Sequence, residues 1–271
     1  MRIRGVVLAL VWAVLCAPLQ AFAAPTDDFR AAVAALEKGA FDDAVDKFEL
    51  LADSGFVHPD ASFDRAMAYI ERARSSAAQP GDLGRAAAAL HETLLLRSED
   101  PGAELALERV QAEIARRRTR AGAKEVNARQ TLARAVAGVV SENTWAGGAL
   151  LGSLALCAGL LARLLSKRPA AKLGGAIAVG VGMLLLVTCG VATAAARHYR
   201  SSSRPAVVVV PEAHLLDSGG APVKRRGDAP GSVPEGSAVY VKSQVGTLAE
   251  IEWGTTEGYV NRSQLRLLAL R

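Results

Sequence analysis

The sequence predicts a multidomain membrane protein: an all-α helical repeat domain, a two-helix transmembrane hairpin and a small all-β domain. Three observations predict it. Two uncharged stretches, residues 145–162 and 173–196, stand close together. Before them, apolar residues recur at helical spacing and part of the pattern repeats. After them, short β-rich runs are broken by glycine, proline and aspartate. The 271 residues are 51% hydrophobic but only 5% aromatic, which is unlike one ordinary soluble globule.

Residues 1–24 read as a secretory signal. Arg2 and Arg4 form a basic start, residues 5–19 an apolar segment too short for a normal span, and Ala21, Phe22 and Ala23 a small-residue cleavage site. Cleavage is expected at Ala23 or Ala24. Of the three cysteines, Cys16 lies in this segment, and Cys157 and Cys189 lie in the two spans. The exported parts therefore have no disulfide framework. In an antiparallel hairpin the depths of Cys157 and Cys189 differ by about 15 Å at the helical rise, too far for a bond.

Residues 25–120 form the helical domain. Phe41, Ala44, Val45, Phe48 and Leu51 follow the stripe of an amphipathic helix, as do Phe63, Ala66, Met67 and Ile70, and then Leu83, Ala86, Ala87 and Leu90. Phe41, Ala44 and Phe48 recur as Leu83, Ala86 and Leu90, each 42 positions later, and Gly39 and Gly81 stand two before the start of each set. Small Ala44 and Ala86 allow paired helices to close up, while Phe48 and Leu90 fill the groove between them. The segments EKGAFDDAVDKFELL and QPGDLGRAAAALHETLLL thereby resemble second halves of tetratricopeptide repeats. That family's period is about 34 residues, so this repeat is longer, and the excess falls mostly in residues 75–80. Asp100 and Pro101 read as the N-cap and first position of a further helix with Leu107, Val110 and Ile114 on its apolar face. Two units are few, since about three make an independent solenoid. This last helix, or a partner, is expected to complete the core.

Residues 121–143 are expected to be a basic helical connector. The first span, residues 144–163, is just long enough for a bilayer, which needs about 20 apolar residues; the second, 173–196, is ample. The 164–172 loop carries Lys167, Arg168 and Lys172 around Pro169, with Arg163 just before it, and suits a tight cytoplasmic turn. Spans this close form a hairpin, so both flanking domains lie on one side, and the signal makes that side the exterior. Gly148 and Gly152, like Ala176 and Gly180, have the four-residue spacing that lets helices approach closely in lipid.

Residues 197–204 read as a linker. In 205–271, strands are expected at 206–210, 238–241, 248–253 and 258–260. The run from Val233 through Val239, then Ile251-Glu252-Trp253, then Glu257 through Leu265, resembles a bacterial SH3-like domain, without that family's usual tryptophan near Gly246. The resemblance implies a small barrel with Tyr240, Trp253 and Tyr259 as its aromatic supply, read either as core filling or as a candidate binding face.

Charge follows the same division. Residues 25–115 hold 18 acidic against 9 basic residues, 116–204 hold 14 basic against 2 acidic, and 205–271 are balanced. The basic excess surrounds the spans, where cations meet head groups, and has no interleaved aromatics of a nucleic-acid face. The four histidines, His58, His91, His198 and His214, are scattered without metal-ligand spacing, and His91 is expected on an exposed helix side. No exported cysteine, nucleophile elbow, phosphate loop or dinucleotide fingerprint is present. No catalytic residue, metal or cofactor is expected.

The order of signal, tetratricopeptide-like helices, connector, hairpin and SH3-like domain resembles BatE-type proteins of the bacterial aerotolerance operon. That resemblance implies a non-enzymatic inner-membrane scaffold with periplasmic domains, working beside von Willebrand A domain membrane proteins and a MoxR-type ATPase. A cell-wall tether that binds peptidoglycan peptide through the SH3-like domain is the alternative.

Overall fold

The computed structural model describes residues 24–122, 142–223 and 231–268. The signal and nearly all of the connector lie outside the described residues.

Among the described residues five helices come first: α1 (Ala24–Glu37), α2 (Phe41–Asp53), α3 (Pro59–Arg74), α4 (Asp82–Leu96) and α5 (Pro101–Arg120). Their starts have local causes. Pro59 and Pro101 occupy the first helical positions of α3 and α5, where a missing N–H costs nothing. Asp100 caps α5 by accepting from the N–H groups of Gly102 and Ala103, at 3.0 and 3.1 Å. Before α4 the chain turns through Gly81 at φ +88°, a left-handed conformation that favours glycine. Successive helices pack on one another around one apolar core. Ala44, Phe48, Leu83, Ala86 and Leu90 are buried in it, while Phe41 is half-buried at its margin.

Two helices follow that are long and apolar enough to cross a membrane: α6 (Glu142–Leu165) and α7 (Pro169–Ser202). They pack against each other as a hairpin. Only 11% and 17% of their most apolar stretches are buried, so neither is the core helix of a soluble domain. On α6 the expected glycines, Gly148 and Gly152, face the partner helix, while on α7 the packing face differs from the expected one. Gly180 has open space around its Cα, and Ala176 is exposed. The close approach uses Gly152 against Gly182 and Gly159 against Gly175, glycines seven apart on each helix. Seven residues nearly complete two turns, so this spacing keeps one stripe on the partner along the whole hairpin. Cys157 is exposed and Cys189 is buried beside Gly148, and both are free thiols.

The expected linker at 197–204 is corrected: α7 runs to Ser202. The Ser203 hydroxyl donates to the Tyr199 carbonyl at 2.8 Å, and β1 begins at Arg204. Neither glycine nor proline stands between Val191 and Arg204, so nothing before Pro205 breaks the helix.

The strands are β1 (Arg204–Val208), β2 (Glu212–His214), β3 (Ser232–Pro234), β4 (Ala238–Val245), β5 (Leu248–Trp253), β6 (Thr256–Asn261) and β7 (Leu265–Leu267). An antiparallel sheet has the order β6-β5-β4-β1-β7, and β2 pairs with β3 as a separate ribbon. Gly246, at φ +61°, opens the two-residue turn between β4 and β5, the type II′ arrangement that matches strand twist. A 3-10 turn, Arg262–Gln264, leads into β7 and is capped by Asn261. This turn returns the chain to β1 at the far edge of the sheet.

Candidate functional site

The helices and the sheet are joined through β1. Ala206, Val207 and Val208 are fully buried. Ala206 and Val208 point into the sheet's own core with Ile251, Trp253 and Val260, whereas Val207 and Val209 point into the helical core. A strand covered on both faces reads as a continuous apolar run, which is why residues 206–210 do not alternate.

The seam depends on missing side chains. A Cβ on Gly84 would lie 2.7 Å from the Val208 carbonyl oxygen and 2.9 Å from the Val209 Cα, and one on Gly81 would collide with the Val209 carbonyl. Gly236 leaves room for Ile114 in the same way. Across the gap, the Gly84 N–H donates to the Glu235 carboxylate at 2.7 Å. Burial raises the pKa of Glu235 above the ordinary carboxylate value, and the Gly84 N–H works against that shift. Arg266 adds ion pairs with Glu49 at 2.9 Å and Asp53 at 3.8 Å.

Two buried charge clusters brace the helices. Arg72 reaches Asp82 with two bonds, 2.6 and 3.2 Å, and Asp42 with a third at 3.3 Å. Asp82, fully buried, also accepts the Gln79 N–H at 2.8 Å. The second cluster pairs Arg65 with Glu92 and, at 3.8 Å, with Glu49, which accepts the Tyr69 hydroxyl at 3.0 Å. Burial, then the charge of Glu49, keeps that hydroxyl protonated. Charges desolvated this far need partners, and each of these pairs ties one helix to another. The acidic character of 25–115 is therefore partly structural.

His91 is a correction. Its imidazole Nε2 is buried without a hydrogen-bond partner, and burial lowers its pKa. His58 caps α3 through Nδ1, which accepts the Asp60 N–H at 3.3 Å. Among the described residues no group of three or more His, Cys, Asp and Glu could hold a metal ion.

The three aromatics of the candidate SH3-like face are not brought together. Trp253 is 5% exposed inside the sheet's core. Tyr240 pairs with Glu252 and Tyr259 with Glu250, on the opposite side of the sheet, where Lys242 bonds Glu257 at 2.5 Å. Tyr240 is exposed and Tyr259 half-buried.

Two clefts on the described surface are large enough to matter for binding. One, of about 380 Å³, opens between the helices and β7 and includes Arg65, Arg262 and Arg266 in its walls. Another, of about 370 Å³, lies between α3 and α5 over Met67, Ile70 and Val110, rimmed by Arg74, Arg109 and Arg117. No family model, curated protein or solved structure matches the chain. Both clefts combine an apolar floor with arginines, which suits binding to another chain. Sequence reasoning missed Gly84, Glu235, Arg65 and Arg266. The unalternating run at 206–210 is the signal that a second surface covers β1.

Proposed function

We propose that the chain is a non-enzymatic inner-membrane scaffold. Its α6–α7 hairpin crosses the bilayer, and its tetratricopeptide-like helices and SH3-like sheet work together in the periplasm as an accessory of a BatE-type envelope complex. One observation carries this reading: β1 belongs to two cores at once. The water-facing parts therefore form one block, which lies on one side of any bilayer the hairpin crosses. The cations Lys167, Arg168 and Lys172 at the turn favour that turn's cytoplasmic location.

Further geometry supports a scaffold. α7 has 34 residues, about 50 Å at the helical rise, while a bilayer core is about 30 Å thick. Its surplus length and direct passage into β1 hold the block at the membrane surface without a slack linker. The repeat reading is supported by the helix pairs α1–α2 and α3–α4, each turning at a left-handed glycine, and by Ala44 and Ala86 at 0% exposure. The SH3-like reading is supported by the hairpin of β5 and β6 followed by a 3-10 turn and β7. The buried charges serve as braces between helices, leaving the arginine-rimmed clefts as the chemically distinctive surfaces.

The test is affinity purification of the full chain from membranes in gentle detergent after cross-linking in cells. Membrane proteins, von Willebrand A domain proteins among them, are expected to be recovered with it. Recovery of this chain alone would overturn the reading.

A further inference from the structure

β7 is an edge strand, hydrogen-bonded to β1 on one side only. The bonds from the Val209 N–H to the Gln264 carbonyl, 2.9 Å, and from the Leu268 N–H to the Pro205 carbonyl, 3.0 Å, set the phase of the ladder. Arg266 opposite Val207 continues that phase, so its backbone faces β1. The backbone groups of Leu265 and Leu267 therefore face the open side. The Leu265 N–H is already used, donating to the Arg262 carbonyl within the 3-10 turn. Among the described residues, the Leu265 carbonyl and both the N–H and the carbonyl of Leu267 have no hydrogen-bond partner.

Leu265 and Leu267 line the cleft of about 380 Å³, whose helical wall carries Phe48, Leu51, Phe56 and Val57. Its charge is one-sided. Arg262 is exposed and makes no ion pair among the described residues, and Arg65, whose side chain is 4% exposed, keeps its Nε without a hydrogen-bond partner. The carboxylate in this wall, Glu92, is already paired with Arg65. An open strand edge beside an apolar floor is the geometry of strand addition, and an unpaired guanidinium favours a carboxylate.

We propose that this cleft binds an extended segment of a protein partner, paired to the free edge of β7, with an apolar side chain against Phe56 and Val57 and a carboxylate on Arg262. The inference rests on the scaffold reading and names the surface that such a scaffold uses.

The experiment uses the full chain in detergent micelles and a fluorescent pool of short peptides, apolar at alternate positions with one aspartate or glutamate. Fluorescence anisotropy is expected to report binding. Arg262→Glu should weaken it at least about tenfold, as loss of a charge-assisted bond predicts, and should confer binding of the matching lysine pool. N-methylating alternate peptide amides should abolish binding in one phase and spare it in the other, because only one set of amides faces β7. Leu267→Pro, which removes an outward N–H that β1 does not use, should lose the pool while circular dichroism shows that the sheet, whose core Leu267 borders, is still folded. No binding by the wild-type chain, equal binding of both N-methylated sets, or indifference to Arg262→Glu overturns the proposal. So does a dimer of the chain that Leu267→Pro dissociates, since the edge would then be filled by a second copy. If membrane partners still co-purify at full yield with Arg262→Glu, this inference fails while the scaffold reading stands. If the wild-type chain recovers none, the scaffold reading itself fails.

Discussion

Gly84 lies in the first turn of α4, where alanine would ordinarily help: in an exposed helix Gly→Ala gains about 1 kcal/mol. Here the added methyl would meet the β1 backbone, and overpacking of this kind costs about 1–3 kcal/mol. Gly84→Ala is accordingly expected to lower the unfolding midpoint of the detergent-solubilised chain; an unchanged or higher midpoint would show that helices and sheet do not meet there. His91 gives a second residue-scale expectation. Burial places its folded-state pKa below the unfolded value of about 6.5, so the unfolded chain binds the proton more tightly. Stability from the neutral imidazole is then present above about pH 6.5 and lost as the pH falls below it. Glu235 has the opposite sign: its raised pKa contributes stability below 4.5 that is lost as the pH rises through the folded value. Comparing unfolding midpoints of wild type and His91→Leu at about pH 7.5 and pH 5.5 isolates the histidine, and the variant should show the smaller acid loss. An identical pH dependence would place the ring in water.

At the scale of elements, α3 and α4 are joined by Arg72 and Asp82, separated by ten positions across a turn. Removing one member leaves the other charge buried, at a cost of about 3–5 kcal/mol. Arg72→Met should therefore destabilise by that amount in chemical denaturation. The double variant Arg72→Met/Asp82→Leu should recover much of the loss, because the penalty belongs to the orphaned carboxylate. Failure to recover would locate the loss in packing instead. The hairpin permits a geometric check. A Cβ on Gly148 would lie 2.8 Å from the Cys189 sulfur, while Gly147 has open space. Gly148→Cys should form a disulfide with Cys189 under mild oxidation, whereas Gly147→Cys should not. After trypsin cuts at Lys167, the two helices would remain joined on a non-reducing gel only in the first variant. These elements were legible in sequence, since their periodicity and uncharged length are local properties. The facing glycines of α6 were legible in Gly148 and Gly152, but those of α7 were not, because small residues occupy several stripes of that span and only mutual packing selects one.

On the scale of the whole molecule, contact between sheet and helices requires both to occupy one compartment. Topology reporters fused after Arg120 and after Arg271 are expected to be active on the same side of the membrane, and opposite sides would dismantle the architecture. The candidate site was poorly legible for a related reason. Gly84 and Glu235 are 151 positions apart, and the cleft takes one wall from α2 and α3 and the other from the last strand. No local pattern ties Arg262 to Phe48. Trp253 and His91 show the same limit: alternation along β5 and the stripe on α4 describe each element alone, whereas burial depends on what is laid against it.

By itself the sequence determined the order of parts: a repeat of amphipathic helices, two apolar helices around a basic turn, and short strands. Each follows from spacing, capping and hydropathy within some 30 residues, scales at which the backbone's own periods govern. Tertiary structure decided that the sheet and the helices share a strand, that α7 enters that strand directly, and that one edge of β7 remains open. Burial of both faces of β1 requires two surfaces made of distant residues, and neither surface exists until its own elements have folded.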